Sequence, residues 1–368
     1  MITPATEEQL CDAVRAAKGP LKVIGGGTRP MGNPVTGEAL TTSGLSGITL
    51  YEPGALTIVA QAGTPLAEIE AALAKENQRL PFEPVDHRGV FGTDGTPTIG
   101  GVVATNVSGP RRIQAGACRD SLIGVRFVDG TGQALKNGGR VMKNVTGYDL
   151  VKLMAGSYGT LGVISEVSFK LLPGIAASAT LTLPGQSVAQ AVATLSTALG
   201  SPFEVSGAAH RSGETLLRIE GFADSVAYRT EQLNSLLGGS VAVETDPEAV
   251  KSTWAEIGQL EGLADDGQDV WRVSLKPSDA PAFVAALPEA QIMLDWGGGL
   301  VWVACAPGTD IRAAVPEIQG HRTLIRAADA TKQALGTFQR EPAPIEAINQ
   351  GLRAKFDPRG ILNPGLMG

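Results

Sequence analysis

The stretch Gly25-Gly26-Gly27-Thr28-Arg29-Pro30-Met31-Gly32-Asn33-Pro34 constrains this chain more than any other. Four glycines and two prolines forbid an immediate helix, so the short apolar strand expected at Leu21 to Ile24 must run into an irregular loop. Bare backbone there lets N–H groups converge on an anion, because no Cβ blocks the approach and positive φ is allowed. The dinucleotide fingerprint G-x-G-x-x-G fails, since Pro30 stands where the third glycine belongs and no helix begins. The phosphate loop G-x-x-x-x-G-K-[ST] is absent from the whole chain. Taken alone, the loop is explained equally well as a tight turn.

A second segment, Thr98-Ile99-Gly100-Gly101-Val102-Val103-Ala104-Thr105-Asn106-Val107-Ser108-Gly109-Pro110, again combines bare backbone with small hydroxyl and amide side chains. Arg111-Arg112 follows at once. Two such segments with arginines suit a diphosphate. Glycine is in excess overall, 47 of 368 residues, and clusters before position 175.

The remaining composition narrows the function classes. The formal net charge is −7 and no block of like charges occurs, which disfavours a nucleic-acid surface or a polybasic membrane anchor. The length suggests about two domains. The amino terminus is acidic, and the uncharged stretch from Leu171 to Phe203 is broken by Pro173, Pro184, Gly185, Gly200 and Pro202, so no direct membrane span is expected. Cys11, Cys118 and Cys305 form no C-x-x-C pair and fit buried thiols in a reducing cytoplasm.

Along the chain, Thr6 to Lys18 reads as a helix with Thr6 capping and Gln9 completing a capping box. Thr57 to Ala62 reads as a strand, and Thr64-Pro65 as the N-cap and first position of the next helix. Strands are expected at Leu122 to Val128 and Leu161 to Leu171, with a helix at Tyr148 to Met154. Composition shifts at Pro173-Gly174, placing a domain boundary near 173. Beyond it, strands near 205–210, 215–219, 241–244, 270–276, 291–295, 299–305 and 321–326 alternate with helices, which predicts an antiparallel sheet covered on one face. A last helix, Pro344 to Phe356, carries Ile345, Ile348, Leu352 and Phe356 on one side.

Gly25-Gly26-Gly27-Thr28, Ile99-Gly100-Gly101 with Ala104-Thr105-Asn106, Thr146-Gly147-Tyr148-Asp149-Leu150 and Gly156-Ser157-Tyr158-Gly159-Thr160-Leu161-Gly162-Val163-Ile164 together resemble the FAD-binding domain of the vanillyl-alcohol oxidase and p-cresol methylhydroxylase (PCMH) superfamily. The closing Phe356-Asp357-Pro358-x-Gly360-Ile361-Leu362-Asn363-Pro364-Gly365 is similar to the signature of its D-2-hydroxy-acid oxidoreductases. Compact length, with Gly109-Pro110-Arg111-Arg112 and Arg119-Asp120, most resembles the smaller FAD-binding subunits of bacterial glycolate oxidases.

The resemblance implies an α+β fold: a two-subdomain PCMH-type FAD-binding domain over 1–173, an α+β cap with an antiparallel sheet over 174–335, and a helix and tail over 336–368 returning to the FAD domain. It places Gly25, Gly26, Gly27, Thr28, Arg29 and Gly32 of the first loop around FAD, and because that loop has neither the His nor the Cys that commonly attaches flavin in the superfamily, a non-covalent FAD is expected. It adds Thr98, Gly100, Gly101, Ala104, Thr105, Asn106, Ser108, Gly109 and Arg112 of the second segment, backbone at Val163 and Ile164 near the nucleotide end, and Asn363. The implied chemistry is hydride loss from a small 2-hydroxy acid to the flavin while a base takes the hydroxyl proton.

Departures from the family pattern sharpen the reading. Catalytic hydroxy-acid relatives carry H-x-G-D-G-N-x-H, whereas His87, His210 and His321 have no ligand-like spacing, so no metal site is expected and no catalytic residue is assigned. His87 lies in a Pro and Asp-rich loop and reads as solvated; His210 and His321 read as structural at strand ends. Cys118 is a candidate for covalent flavin attachment that ordinary packing explains better. The tail lacks the basic residue that relatives place after the glycine, so no direct role is expected of it.

Two functions stand. One is a FAD-bearing subunit of a glycolate oxidase complex, passing electrons beside a larger FAD subunit and an iron–sulfur subunit in the cytoplasm, with any contact to the inner membrane made through partners. The other is a self-sufficient FAD-dependent D-2-hydroxy-acid dehydrogenase of the D-lactate type, with Arg218, Arg272, Arg322 or Arg326 clamping the substrate carboxylate.

Overall fold

The computed structural model describes residues 1–139 and 147–368; Thr146, one member of the third motif, lies outside the described residues. The first helix, Glu7–Ala16, is capped by the Thr6 hydroxyl, which accepts from the Gln9 amide at 3.2 Å. The Gln9 side chain reaches back to the Ala5 amide rather than to that of Thr6, so the reciprocal half of the cap is shifted by one residue. Leu10, Val14, Leu21 and Leu40 form a small core with Ile361 and Leu362, which come from the far end of the chain. The strand Leu21–Ile24 pairs in parallel with Glu38–Thr41, and Leu21 exchanges backbone hydrogen bonds with Ile361 and Asn363 on its other edge.

Beside this unit lies an antiparallel sheet ordered Ile48–Glu52, Thr57–Gln61, Val163–Lys170, Leu122–Val128, Ala134–Gly138. Its apolar face, including Ile58, Val125, Phe127 and Phe169, packs with Leu66, Ile69 and Leu73 of the helix Leu66–Lys75 and with Val102 and Val103 of Ile99–Thr105. One expectation fails here. Thr64 does not cap the Leu66–Lys75 helix: Pro65 holds the N-cap position, and the buried Thr64 hydroxyl bonds the backbone of Gly47 and Gln61 instead. A hydroxyl sealed from water takes whichever partners the tertiary fold brings to it.

After Pro173 the chain enters a second antiparallel sheet. Among the described residues its order is Ala242–Glu244, Ala177–Leu183, Glu214–Gly221, Gly207–Arg211, Gln291–Asp295, Leu300–Cys305, Asp269–Leu275, Gly320–Arg326. The expectation that one face is covered is corrected, because both are. Leu216, Val270, Met293 and Trp302 pack with Val250, Trp254 and Ile257 of the helix Pro247–Gln259, and with Val90 from the first half of the chain. On the opposite face Trp271, Leu294 and Val303 pack with Val192 and Phe283 of the helices Val188–Leu199 and Ala280–Ala285. Leu300–Cys305 is buried at all six positions, the run expected of a strand sandwiched on both sides. Losing either fully buried indole, Trp254 or Trp271, would cost roughly 3–5 kcal/mol.

The last helix runs Ala343–Phe356. Leu352 and Phe356 pack against the first core, but Ile345 and Ile348 at its start are exposed. No helix among the described residues is long and apolar enough to cross a membrane.

Candidate functional site

Strand Leu21–Ile24 delivers the first glycine loop to a cavity of about 700 Å³, and its position there is fixed by the tail. Asn363, in the left-handed region at φ 46°, accepts from the Val23 amide at 2.8 Å and donates to the Tyr158 carbonyl at 2.8 Å. Asn33 donates its amide to the Leu366 carbonyl at 2.9 Å, and a Cβ on Gly32 would come within 2.5 Å of the Leu366 side chain. Asn363, an expected site residue, lines the cavity, and the expectation of no role for the extreme tail is corrected at Leu366, which lines the cavity as well and helps seat the loop. A backbone with so few side chains of its own needs outside contacts to hold one shape.

The second glycine segment is not an irregular nest but a short helix, Ile99–Thr105, capped by the Thr98 hydroxyl. Gly100 packs on Ala62, where an added Cβ would sit 2.6 Å from the Ala62 Cβ. Gly26 is likewise packed on protein, since a Cβ would meet the Thr96 carbonyl at 1.5 Å. Gly101 differs: an added Cβ would meet nothing nearer than the Thr98 hydroxyl at 3.3 Å. Its bareness therefore serves the cavity rather than the fold.

Most of the expected cofactor residues converge. Gly25, Gly26, Gly27, Thr28, Arg29, Gly32, Thr98, Gly101, Ala104, Thr105 and Asn363 line the large cavity. Gly100, Val163 and Ile164 line a small adjoining one that shares Val23, Ile24, Gly25, Gly101, Ala104 and Tyr158 with the first. The structure does not bring the other four onto either cavity. Asn106 terminates the Ile99–Thr105 helix at φ 49° and accepts from the Arg119 amide. The Ser108 hydroxyl accepts from the Cys118 amide, and the Gly109 carbonyl accepts from the Trp296 indole N–H. Arg112 lies over the Trp296 ring, 4.4 Å from its centroid.

Charge at the large cavity is basic although the chain is acidic overall. The Arg29 guanidinium donates to the Val85 carbonyl, while its Nε is buried with no partner among the described residues. Burial depresses its pKa to about 10, which leaves it a cation at neutral pH. An unsatisfied buried donor costs about 1–3 kcal/mol, which an acceptor on a ligand would offset. Lys332, buried on the helix Asp329–Leu335, donates to the Pro30 carbonyl at 3.1 Å and adds a second cation. Lys332 was marked by no local motif, because the fold brings it in from far along the chain, and Tyr158, though inside the Gly156 to Ile164 motif, was not singled out as a site residue.

Away from the glycine loops, the seam between the two sheets holds a closed ion cluster. Arg218 grips Glu83 through two bonds of 2.7 and 2.8 Å, and Arg111 grips Glu220 through two of 2.9 and 2.6 Å. Burial opposes ionisation of Glu83, but Arg218 and Arg111 beside it outweigh that cost and lower its pKa. Arg111 is thus committed to carboxylates of the protein, which corrects its expected place at a diphosphate. His87 is corrected as well. It is buried in this seam rather than solvated, its Nε2 donates to the Gly258 carbonyl at 3.2 Å, and burial first, then the charge of Arg29, depress its pKa to about 3. His210 is buried against the Thr215 hydroxyl at 3.0 Å, and His321 is largely exposed. Cys118 is sealed in the first core with its thiol pKa raised by burial, and it lines neither cavity.

The candidate carboxylate clamps separate clearly. Arg218 is spent on Glu83; Arg322 donates to the carbonyls of Val315 and Ile318; Arg326 donates to those of Gln268, Val90 and Asp265. Arg272 has neither a hydrogen bond nor an ion pair among the described residues and lies over the rings of Trp296 and Trp302 at 5.1 and 6.0 Å. Among the described residues no group of three or more His, Cys, Asp or Glu is arranged to hold a metal ion.

Comparison with known proteins bears on this geometry. Residues 1–138 match the family model described as an FAD binding domain. The chain is 38% identical over 364 residues to the glycolate oxidase subunit GlcE of Escherichia coli (strain K12), covering 98% of this chain and 95% of that one. It is 27% identical over 320 residues to the glycolate oxidase subunit GlcD of Bacillus subtilis (strain 168), covering 73% and 68% of the two chains. An alkyldihydroxyacetonephosphate synthase structure superposes with a TM-score of 0.70 at 16% identity, over 98% of this chain and 76% of that one, which establishes a shared fold.

Proposed function

This chain belongs to the family of FAD-binding glycolate oxidase subunits, and from that premise we propose that it is the flavin-bearing, electron-passing subunit of a complex that oxidises glycolate or a similar small 2-hydroxy acid. Likeness along nearly the whole of both chains carries the reading, together with a cavity whose chemistry fits the cofactor. The fit rests on the Arg29 Nε that lacks a partner, the second cation at Lys332 and the bare face of Gly101. These suit a diphosphate between two glycine segments. When bound, FAD supplies the acceptor for a hydride from carbon and the means to release electrons onward.

The chain's own residues bind, orient and enclose. The loop Gly25 to Thr28 offers unobstructed backbone, Arg29 and Lys332 offer charge, and Val163 and Ile164 wall the narrow end where we place the adenine. We assign cofactor binding to residues 1–173, cover of the cleft to 174–335, and seating of the glycine loop to 336–368. Onward transfer needs another chain, which we take to be an iron–sulfur subunit working beside a larger flavin subunit. Cys11, Cys118 and Cys305 sit in three separate cores and cannot share a cluster.

The self-sufficient D-lactate type dehydrogenase remains the second reading because Arg272 is uncommitted. Purification of the single chain and of the complex from the native host, each assayed with glycolate and D-lactate and an artificial acceptor, separates the two. We expect turnover by the complex alone. Robust turnover by the single chain would establish the second reading.

A further inference from the structure

We propose that the cavity walled by Arg79, Ser178 and the linker between the two sheets is a second ligand site, taking a monocarboxylate with an apolar body. The cavity measures about 440 Å³, which falls within the about 300–1,000 Å³ of ordinary ligand pockets. It shares no lining residue with the two cavities at the glycine segments. One wall comes from the helix Leu66–Lys75 and the short strand Gln78–Arg79, the other from Ile175 to Ser178 and the helix Pro247–Gln259.

Arg79 is the group that calls for a ligand. Its Nε donates to the Pro173 carbonyl at 3.2 Å, its Nη1 is sealed in without a partner, and its Nη2 is neither bonded nor sealed among the described residues. The acids whose charge it feels, Glu220 and Glu83, are spent. Arg218 binds both oxygens of Glu83, Arg111 binds both oxygens of Glu220, and the Arg111 amide adds a further bond to Glu83. Two cations thus meet two anions, and Arg79 stands beside them as a third cation. Burial, then the charge of Arg111, lower its pKa to about 10, which leaves it charged at neutral pH. A guanidinium that holds one neutral carbonyl keeps an edge for a carboxylate. Ser178 lines the same cavity with a hydroxyl that is neither bonded nor sealed among the described residues, and it supplies another donor.

The rest of the lining sets the class of ligand. Leu73, Leu80, Pro84, Ile175 and Val250 form an apolar wall suited to a hydrocarbon body. Glu70, Glu248 and Lys251 line the cavity at exposed positions, and Lys251 lies 4.0 Å from Glu248, so it is not a second free cation. A phosphate dianion or a polyphosphate would meet more negative than open positive charge there. A single carboxylate on Arg79 matches the one cation the protein leaves open. A ligand held by Arg79 and Ser178 together would bridge the two sheets, and binding to the folded form alone raises stability by mass action. The flavin has no part in this site, which stands whether or not the proposed function does.

The test is calorimetric titration of the full-length chain with hexanoate as the probe and 1-hexanol and inorganic phosphate as comparisons, with FAD content and Tm measured alongside. We expect saturable hexanoate binding that raises Tm, weakened at least tenfold by Arg79→Gln and partly recovered in Arg79→Lys. Ala176→Phe should abolish it, because that substitution fills the cavity from an exposed linker position and leaves every charge in place. Arg272→Gln should bind as the parent does, and FAD content should be equal in all. No hexanoate binding, parent-like affinity in Arg79→Gln or Ala176→Phe, or hexanol or phosphate binding as tightly as hexanoate would overturn the proposal. Binding lost in Arg272→Gln would overturn it by moving the carboxylate to another site, and FAD lost in Ala176→Phe by joining this cavity to the cofactor's. Should Arg79→Gln fail to fold, Ala176→Phe decides alone.

Discussion

Arg111 and Arg112 are neighbours in sequence and opposites in the fold. Arg111 is buried in a closed cluster with Glu83, Glu220 and Arg218, where every charge faces its complement. Arg112 stands with Arg272 over Trp296 and faces no acid in contact. These four paired charges are electrostatically finished and the Arg112 and Arg272 pair is not, while Arg79, beside the four, bonds the Pro173 carbonyl and keeps a sealed Nη1 without a partner among the described residues. Charge that the protein neutralises itself belongs to the fold, and charge it leaves open belongs to something that arrives later.

The largest expected effect breaks this contrast at the paired charges. Arg218→Met removes the cation that Glu83 grips and leaves two carboxylates facing Arg111 alone, which should cost about 3–5 kcal/mol in denaturant unfolding. Arg272→Gln should cost under about 1 kcal/mol, since no protein acceptor loses a partner. Similar losses in the two variants would erase the distinction between the two groups.

Next in size is an acid effect at His87, buried against Gly258 and Trp302. Its folded pKa, about 3, is below the ordinary imidazole value of 6.5, so between those values the unfolded chain binds more protons than the folded one. Stability is therefore present above pH 6.5 and is lost as pH falls toward 3. His87→Gln keeps a donor for the Gly258 carbonyl and cannot titrate. Relative to the parent it should gain on the order of 2–3 kcal/mol between pH 7 and pH 4. Parallel stability curves for the two proteins would show that the imidazole is solvated after all.

A smaller effect concerns the cofactor cavity, which lies outside both arginine groups. Gly101→Val points a side chain into the cavity while touching only the Thr98 hydroxyl, so FAD affinity should fall at least tenfold, about 1.4 kcal/mol, with the Tm of the flavin-free chain unchanged. Gly26→Val is not an equivalent probe, because it strikes the Thr96 carbonyl and disturbs the loop whether or not a ligand is present. Unchanged flavin occupancy in Gly101→Val would remove the diphosphate from this helix.

These cases show what could be read from the sequence and what could not. Local patterns located the strands well: Leu21–Ile24, Leu122–Val128 and Gln291–Asp295 stand where period and turn residues put them. The glycine segments were legible because bare backbone is a one-dimensional signal. Arg111, Arg112 and His87 were misplaced because their environments are made by residues far away, Glu220, Trp296 and Gly258, that no spacing rule connects to them. Lys332 and the tail contact at Leu366 were missed for the same reason. The second covered face of the large sheet escaped notice because its strands carry Arg218 and Arg272 on the side turned toward the seam, in phase with the apolar Leu216 and Val270.

The smallest expected effect concerns Cys118, which feels the charge of Arg29 yet lines neither cavity. Its side chain is fully buried in the first core, its amide donates to the Ser108 hydroxyl at 2.9 Å, and burial raises its thiol pKa, so little nucleophilic thiolate forms. A covalent flavin would have to displace packed core to reach the sulfur. Acid precipitation of the parent should therefore release its yellow colour into solution, and Cys118→Ala should release the same fraction while losing roughly 1 kcal/mol of stability from the vacated volume. Colour that stays on the parent's pellet and leaves that of Cys118→Ala would assign a covalent flavin link to Cys118 and extend the cofactor site beyond the two cavities into the first core.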